Sequence, residues 1–366
     1  MPTSTRARLA ASVAVSAGLV VLGHLFASRG EDLGYDATFY VAMVNGQNAT
    51  VPGPFRFRLL IPFIASVLPF SPADSLLIIS YLSLFGMYLM IFRACDTLDL
   101  SVRDATFGLL AIWGATWQLY HYYNPYMTDA FALFALSAML LALLRDAYWP
   151  FAAAALVGTL GRETTAFLVP AWFATRQVAR TLLLIALTGA VVLFPRYWLT
   201  SDGDLTIAGA FNSSSTVFLP FIFTRQLQTI WGFVWFVALA GIWFLPRAYA
   251  GKIVASFVAL FIGGLIASTV ATDTGRMFGF LAPVLAVASA QFYAVVRRRT
   301  PTLAWILVGL IAIQGIFNAP DVMFDGDSWI IGWPRRTFVI AEFGLGAVIL
   351  WRLWASRAGN AGKVGV

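Results

Sequence analysis

Charged residues are scarce in this sequence, since only 11% of its 366 residues are Asp, Glu, Lys or Arg. Hydrophobic residues make up 60% of the chain, and the mean hydropathy is +0.80. A water-soluble domain of this length could not bury so much apolar surface. The composition therefore indicates a membrane protein, because an ionised group in hydrocarbon costs about 3 kcal/mol or more.

Cysteine and histidine are almost missing. The single cysteine, Cys95, excludes an internal disulfide and any metal cluster built on cysteine. Two histidines are too few for a His-rich metal site, so no metal is expected. The sequence also has no Walker motif and no dinucleotide fingerprint, so we do not expect a nucleotide or another cofactor.

Long apolar runs dominate the chain and predict helices, which satisfy their own backbone hydrogen bonds in lipid. The expected fold is an all-α polytopic membrane protein with one transmembrane domain over residues 1–366 and no soluble domain. Residues 9–28 form the first helix, although a signal peptide is an alternative because the run ends in small residues. About 12 crossings are predicted, the other runs being 74–92, 105–120, 128–144, 148–160, 164–175, 181–198, 228–245, 253–271, 277–296, 302–318 and 337–354.

A polar loop over residues 29–73 follows the first helix and holds several of the few charged side chains. Residues 36–44 are amphipathic and predict a short helix lying at the membrane interface. Residues 58–70 are too short to span comfortably and contain two prolines, so they are interpreted as interfacial or re-entrant.

The net charge of +7 carries a topology signal rather than a sign of nucleic-acid binding. With the N-terminus in the cytoplasm, 15 of the 24 basic residues fall in inner loops. Of the 17 acidic residues, 13 fall outside or near the outer face. This distribution follows the positive-inside rule and predicts cytoplasmic N- and C-termini, with the first loop on the outer face.

Four clusters of polar residues share that predicted outer face with the first loop. They are the segment from His121, Tyr123 and Asn124 to Asp129, the pair Arg162 and Glu163, the pair Asp273 and Arg276, and Arg196 with Tyr197. Ionisable residues at membrane depth often mark function. Structural alternatives stay open: each charged pair could tie helix ends, Asp129 could cap a helix, and the aromatic residues could form an interfacial belt.

Asp36 is the leading candidate for a catalytic carboxylate. It lies between Tyr35 and the Phe39-Tyr40 pair, it opens the amphipathic segment, and it precedes Arg56 and Arg58. Those two arginines could hold a phosphate through forked, charge-assisted hydrogen bonds. The alternative is an exposed loop acid with no catalytic role.

These residues resemble motifs of small bacterial members of the GT-C glycosyltransferase superfamily. The similarity rests on Tyr35-Asp36-x-x-Phe39-Tyr40 and Pro54-Phe55-Arg56-Phe57-Arg58-x-Leu60-x-Pro62, and on two later segments, Gly161-Arg162-Glu163-Thr164 and Asp273-Thr274-Gly275-Arg276-Met277-Phe278. The resemblance implies a GT-C-like multi-spanning helical fold, a sugar donor carried on a polyprenyl phosphate, and a catalytic acid at Asp36. The chain differs from larger members by lacking a C-terminal soluble domain, and an adjacent second acid is missing at Asp36, so a metal-bound site is not supported.

The expected reaction transfers a sugar to a hydroxyl of a glycan or lipid acceptor, with Asp36 as general base. Guanidinium groups would neutralise the leaving lipid phosphate, the candidates being Arg56, Arg58, Arg162 and Arg276. Substrate-binding or supporting roles are expected for Asp32, His121, Tyr123, Asn124, Asp129, Glu163 and Asp273, and Asp32 could share the base role.

Two other functions are compatible with the sequence. Twelve helices with both ends inside suit a secondary transporter, but the ionisable residues cluster near one face rather than at the midplane. A lipid-linked glycan ligase or polymerase, or a flippase partner, would share an outer-face site.

Overall fold

The computed structural model describes residues 5–27, 35–53, 55–199, 230–268, 274–323, 344–346 and 348–349. Its regular structure over these residues is entirely helical. The first nine α-helices are α1 Thr5–Ala27, α2 Tyr35–Val44, α3 Leu60–Ser66, α4 Pro72–Thr97, α5 Val102–Trp113, α6 Thr116–Tyr123, α7 Asp129–Leu144, α8 Tyr148–Gly161 and α9 Val178–Leu199.

The described residues of the second part of the chain contain five further α-helices: α10 Val234–Trp243, α11 Arg247–Ser268, α12 Thr274–Gly279, α13 Ala282–Arg299 and α14 Pro301–Met323. Three segments are 3-10 helices, namely Asn48–Thr50, Phe55–Phe57 and Glu163–Thr175. The predicted run 337–354 lies mostly outside the described residues.

Among the described residues, four helices have the length and apolar character of a membrane span, and they contain Thr5–Phe26, Pro72–Thr97, Val178–Leu199 and Arg247–Ala267. Shorter apolar helices cover Asp129–Leu144, Val234–Trp243 and Pro301–Gly315. The all-helical class is therefore confirmed over the described part of the chain, and its helices are of a kind found in membranes.

Two predicted runs are each divided between two helices. The run 105–120 breaks between α5 and α6 at Gly114. A Cβ atom at this position would lie 3.1 Å from the Cα atom of Gly315. The run 277–296 similarly divides between α12 and α13. Each of these runs was predicted as a single helix, so neither break was expected.

The segment 148–175 forms a helical hairpin, as its polar tip predicted. Helix α8 ends at Gly161, Arg162 is extended with φ −161° and ψ 125°, and a 3-10 helix begins at Glu163. The two arms run antiparallel, because Trp172 near the end of the second arm packs on Tyr148 and Phe151 at the start of the first. We call the segment Glu163–Thr175 the long 3-10 helix; its 13 residues extend about 26 Å.

The first loop contains short helices, as expected. Helix α2 covers the segment predicted to be helical. Helix α3 has only seven residues and is about 10 Å long, which is far short of a hydrocarbon core of about 30 Å. Residues 58–70 therefore do not form a crossing helix by themselves.

Ion pairs gather at one end of the bundle, which we call the Arg297 end. They join Arg8 to Asp96 at 2.6 Å, Arg297 to Asp104 at 2.9 Å, and Lys252 to Asp146 at 2.7 Å. These residues lie where α1, α5 and α11 begin and where α4, α7 and α13 end. The helices consequently alternate in direction, and the opposite end of the bundle carries the residues predicted to form the site.

Helix α13 lies at the centre of the core, and its residues from Ala282 to Ala290 are all buried. Close packing against it depends on glycine in two neighbouring helices. A Cβ atom at Gly108 of α5 would lie 2.8 Å from Cβ of Ala290, and one at Gly241 of α10 would collide with the carbonyl oxygen of Ala288. Small residues allow helix backbones in membrane proteins to approach closely.

Candidate active site

Arg58 holds Glu163 through a forked ion pair that joins the first loop to the hairpin tip. Its Nε and Nη2 atoms donate to the two carboxylate oxygens at 3.1 and 2.9 Å. Its third nitrogen, Nη1, donates to the hydroxyl oxygen of Tyr40 at 2.6 Å. The planar guanidinium can make this arrangement because its donors form a rigid fork.

A second ion pair lies deeper in the protein. Arg162 Nη1 is 2.6 Å from Asp129 Oδ1, and both side chains are completely buried. The guanidinium also lies over the ring of Phe280, 5.3 Å from its centre. Asp129 is the first residue of α7, where the helix dipole favours a negative charge.

Tyr40 and Thr128 connect the two ion pairs. The hydroxyl of Tyr40 lies 3.3 Å from Thr128 Oγ1, and Arg162 Nη1 donates to the same oxygen at 3.5 Å. The connected series therefore runs Glu163, Arg58, Tyr40, Thr128, Arg162, Asp129, and we call these six residues the polar network. It brings together residues from the first loop, the start of α7 and the hairpin tip.

The polar network shifts the pKa of its outer ion pair. Burial of Glu163 would raise its pKa, but the charge and hydrogen bonds of Arg58 and the charge of Arg162 outweigh burial and lower it to about 2. Burial likewise opposes the charged form of Arg58, yet Glu163 and Tyr40 raise its pKa well above the ordinary value. Both groups therefore stay charged at neutral pH.

Asp36 lies on α2 in the first turn, four residues before Tyr40. Residues four apart lie on the same face of an α-helix, about 6 Å apart along its axis. Tyr40 is fully buried, whereas Asp36 is half-buried. The carboxylate is thus one helical turn from the polar network and closer to the surface.

Two further arginines lie at this end of the bundle. Arg56 donates to the backbone carbonyls of Val51 at 2.7 Å and Leu199 at 2.8 Å, so it fastens the first loop to the end of α9. Arg196 lies over the ring of Phe57 at 5.0 Å, and its charge interacts with those of Arg58 and Glu163. The contacts of Arg56 tie backbone segments together, while Arg196 adds positive charge beside the network.

The predicted residues His121, Tyr123 and Asn124 lie on or just after α6 and are buried. His121 meets the ring of Trp117 edge to face at 4.8 Å between centroids, and Asn124 Nδ2 is 3.5 Å from the hydroxyl of Tyr120. These contacts describe an aromatic cluster built on α6.

Three predicted site residues have no side-chain description. Asp32 and Asp273 lie outside the described residues, and for Arg276 only the backbone, within α12, is described. In the parts of the chain with described side chains, His, Cys, Asp and Glu do not gather in a group of three that could hold a metal ion.

The structure places three residues that had no assigned role in or beside the polar network: Tyr40, Thr128 and Arg196. Tyr40 was part of the first-loop motif but was given no role; its spacing of four from Asp36 on a helix was the available signal. Thr128 directly precedes Asp129, and of these two residues only the charged one was identified from sequence as a site candidate. The two neighbours Arg162 and Glu163, considered as a pair, bind Asp129 and Arg58 respectively.

Comparison with known proteins returned no matching family model, no matching curated protein and no matching solved structure.

Proposed function

We propose that the chain is a GT-C-type membrane glycosyltransferase that moves a sugar from a polyprenyl-phosphate donor to a hydroxyl of a glycan or lipid acceptor. The main observation behind this proposal is that a half-buried carboxylate, Asp36, lies one helical turn from a buried network rich in arginine. Transfer to a hydroxyl needs a proton acceptor, and a lipid-phosphate leaving group needs fixed cations.

Among the described charged side chains in and directly beside the polar network, the charge balance favours an anionic substrate. Arg56, Arg58, Arg162 and Arg196 carry four positive charges, against three negative charges on Asp36, Asp129 and Glu163. One positive charge remains after these are matched. A phosphate bound here would complete the neutralisation, and guanidinium groups suit its geometry.

The three carboxylates differ in their suitability as a base. Asp129 is fully buried against Arg162, which favours a structural role. Glu163 has a pKa of about 2 because two arginines outweigh the effect of its burial, so it holds a proton weakly at neutral pH. Asp36 is more accessible than Asp129 and is therefore assigned the base role.

In the proposed reaction, the acceptor oxygen attacks the anomeric carbon while Asp36 takes the hydroxyl proton. The new glycosidic bond forms as the bond between that carbon and the lipid phosphate breaks. The phosphate leaves with the electron pair, and Arg58 and Arg196 balance its growing charge from the accessible side of the network. A single displacement of this kind inverts the anomeric centre.

The proposed setting is a bacterial-type plasma membrane. The four long apolar helices and the shorter ones would form a bundle of about 12 crossings with cytoplasmic termini and with the first loop on the outer face. A transporter is less well supported, because the network residues lie at helix ends rather than near the middle of the helices.

Sugar transfer by purified protein supplied with lipid-linked sugar and acceptor tests the proposal. Asp36→Asn should lower the transfer rate by roughly 100-fold or more, which is the usual contribution of a general base. Asp74→Asn is the matched control, because Asp74 is an exposed acid in the first turn of α4. Its rate should equal that of wild type.

A wild-type transfer rate in Asp36→Asn would contradict the assignment of Asp36 as the general base. If the wild-type protein transfers no sugar but moves a solute across the membrane of vesicles that contain no lipid-linked sugar, the protein is a transporter rather than an enzyme. A product joining two lipid-linked glycans would instead indicate a ligase or polymerase.

A further inference from the structure

A groove of about 400 Å³ opens between α8 and α9, near the Arg297 end and away from the polar network. Its wall begins at Tyr148 and Arg180, the first helical turns of α8 and α9, and continues to Leu156 and Leu187. The eight-residue step from Tyr148 to Leu156 corresponds to about 12 Å along α8. The groove therefore runs from a helix end toward the middle of the bundle.

The groove is polar at one end and apolar along the rest of its length. Arg180 supplies the charge, with its guanidinium 5.1 Å from the centre of the Tyr148 ring. Its Nη1 atom donates to the neutral amide oxygen of Gln177 at 2.8 Å. Among the residues that the structure describes, no carboxylate lies within ion-pair distance of Arg180.

The apolar part of the groove lies on a surface that has the features of a lipid-facing one. Leu183 and Leu187 are 56% and 44% exposed, and they belong to α9, one of the four helices suited to cross a membrane. Trp149, which is 78% exposed, lies beside the charged end. Tryptophan and tyrosine are enriched at the level of lipid headgroups, so the aromatic end marks where a headgroup would lie.

We propose that this groove binds an anionic phospholipid of the surrounding bilayer, with its phosphate at Arg180 and one acyl chain between Leu183 and Leu156. Charge complementarity selects this occupant, because Arg180 is the charged side chain among the described lining residues, and it stands at the mouth of an otherwise apolar groove. The site is separate from the proposed donor site, which lies at the other end of the bundle.

Native mass spectrometry of delipidated protein, titrated with phosphatidylglycerol or phosphatidylcholine, tests the proposal. The wild-type protein should bind phosphatidylglycerol more tightly. Arg180→Gln should weaken the binding of phosphatidylglycerol by about fivefold, which corresponds to the ~1 kcal/mol contributed by one basic residue near an anionic surface. Arg298→Gln is the control, because Arg298 is an exposed arginine at the same end outside the groove.

A second variant fills the groove without removing charge. Leu183→Trp should weaken the binding of both lipids. Because Leu183 is largely exposed, the variant should keep the unfolding temperature of the wild-type protein. If Leu183→Trp does not fold, Leu187→Trp is used instead, because Leu187 is also an exposed residue of the groove.

Three results would overturn the proposal. The first is equal affinity of the wild-type protein for the two lipids, and the second is unchanged phosphatidylglycerol binding by both Arg180→Gln and the tryptophan variant. The third is a wild-type protein that is dimeric and becomes monomeric when the groove is filled, since that would identify a second copy of the chain as its occupant.

Discussion

Arg162 and Asp129 form an ion pair at 2.6 Å in which neither side chain is exposed. The arginine belongs to the extended tip between α8 and the long 3-10 helix, and the aspartate opens α7. A buried pair of this kind repays its loss of hydration only while both charges are present. The pair therefore fixes the tip of the hairpin against α7.

Removing one member of this pair should destabilise the protein strongly. Arg162→Met leaves the carboxylate of Asp129 buried without its guanidinium, and we expect a loss of about 3–5 kcal/mol in the free energy of unfolding. Denaturant unfolding in detergent micelles measures the change. The double variant Asp129→Leu/Arg162→Met should recover much of the lost stability, and a single variant as stable as wild type would contradict the burial of an obligatory pair.

The ion pair between Arg58 and Glu163 should make stability fall in acid. The pKa of Glu163 is lowered from 4.5 to about 2 in the folded protein, because Arg58 and Arg162 outweigh the effect of burial. The unfolded chain therefore takes up the proton first, so the contribution is complete above about pH 4.5 and disappears as the pH approaches 2.

The variant Glu163→Gln lacks this titration. Unfolding temperatures of wild type and variant, measured from pH 7 to the lowest pH that detergent micelles allow, should differ most near neutrality and converge below about pH 4.5. Asp74→Asn serves as the comparison, because Asp74 is an exposed acid of the same end. A constant difference at all pH values would show that Glu163 stabilises the protein without its charge.

The hydroxyl of Tyr40 should matter more than its ring. Tyr40→Phe keeps the aromatic packing on Phe55 but removes the acceptor of Arg58 and the link to Thr128. Hydrogen bonds to charged groups contribute about 1.5–3 kcal/mol, and we expect a loss of stability of that order. We also expect a higher KM for the lipid-linked sugar, since Arg58 loses one of its positioning contacts.

A steady-state transfer assay separates KM from kcat for this variant. Tyr249→Phe is its control, because Tyr249 lies in the first turn of α11 at the opposite end. An unchanged KM for Tyr40→Phe, together with normal stability, would remove Tyr40 from the proposed donor site.

Two glycine-to-alanine substitutions should have opposite effects. Gly241→Ala places a methyl group against the backbone of Ala288 in α13, and overpacking of this kind typically costs about 1–3 kcal/mol. Gly251→Ala in α11 meets no atom within 4 Å, so the higher helix propensity of alanine should leave stability equal or slightly increased. Unfolding of both variants in one detergent gives the comparison, and equal stability of the two would contradict the close approach of α10 to α13.

The sequence was most informative where hydropathy changes abruptly. The polar tip at 161–164 interrupts an apolar stretch, and it predicted the hairpin formed by α8 and the long 3-10 helix. The run 105–120 was predicted as one helix, and its break at Gly114 was missed, although a Cβ atom there would lie 3.1 Å from the Cα atom of Gly315.

The candidate site was predictable as a collection of charges but not as a set of partners. Arg58, Arg162, Asp129 and Glu163 were identified from sequence, and the structure joins all four. Their pairing depends on contacts between distant residues, because Arg162 lies 33 positions after Asp129 and Glu163 lies 105 positions after Arg58. Local spacing instead suggested that Arg162 and Glu163 form a pair, although an extended backbone directs successive side chains to opposite sides.

The long 3-10 helix couples the length of one hairpin arm to the position of Glu163. A 3-10 helix rises about 2.0 Å per residue and an α-helix about 1.5 Å, so rewinding these 13 residues would shorten the arm by about 6.5 Å. That contraction exceeds the 2.9 Å between Arg58 and Glu163 more than twofold. The ion pair at the tip is consequently compatible with the 3-10 winding of the arm, and an α-helical arm with Thr175 held in place would separate Glu163 from Arg58.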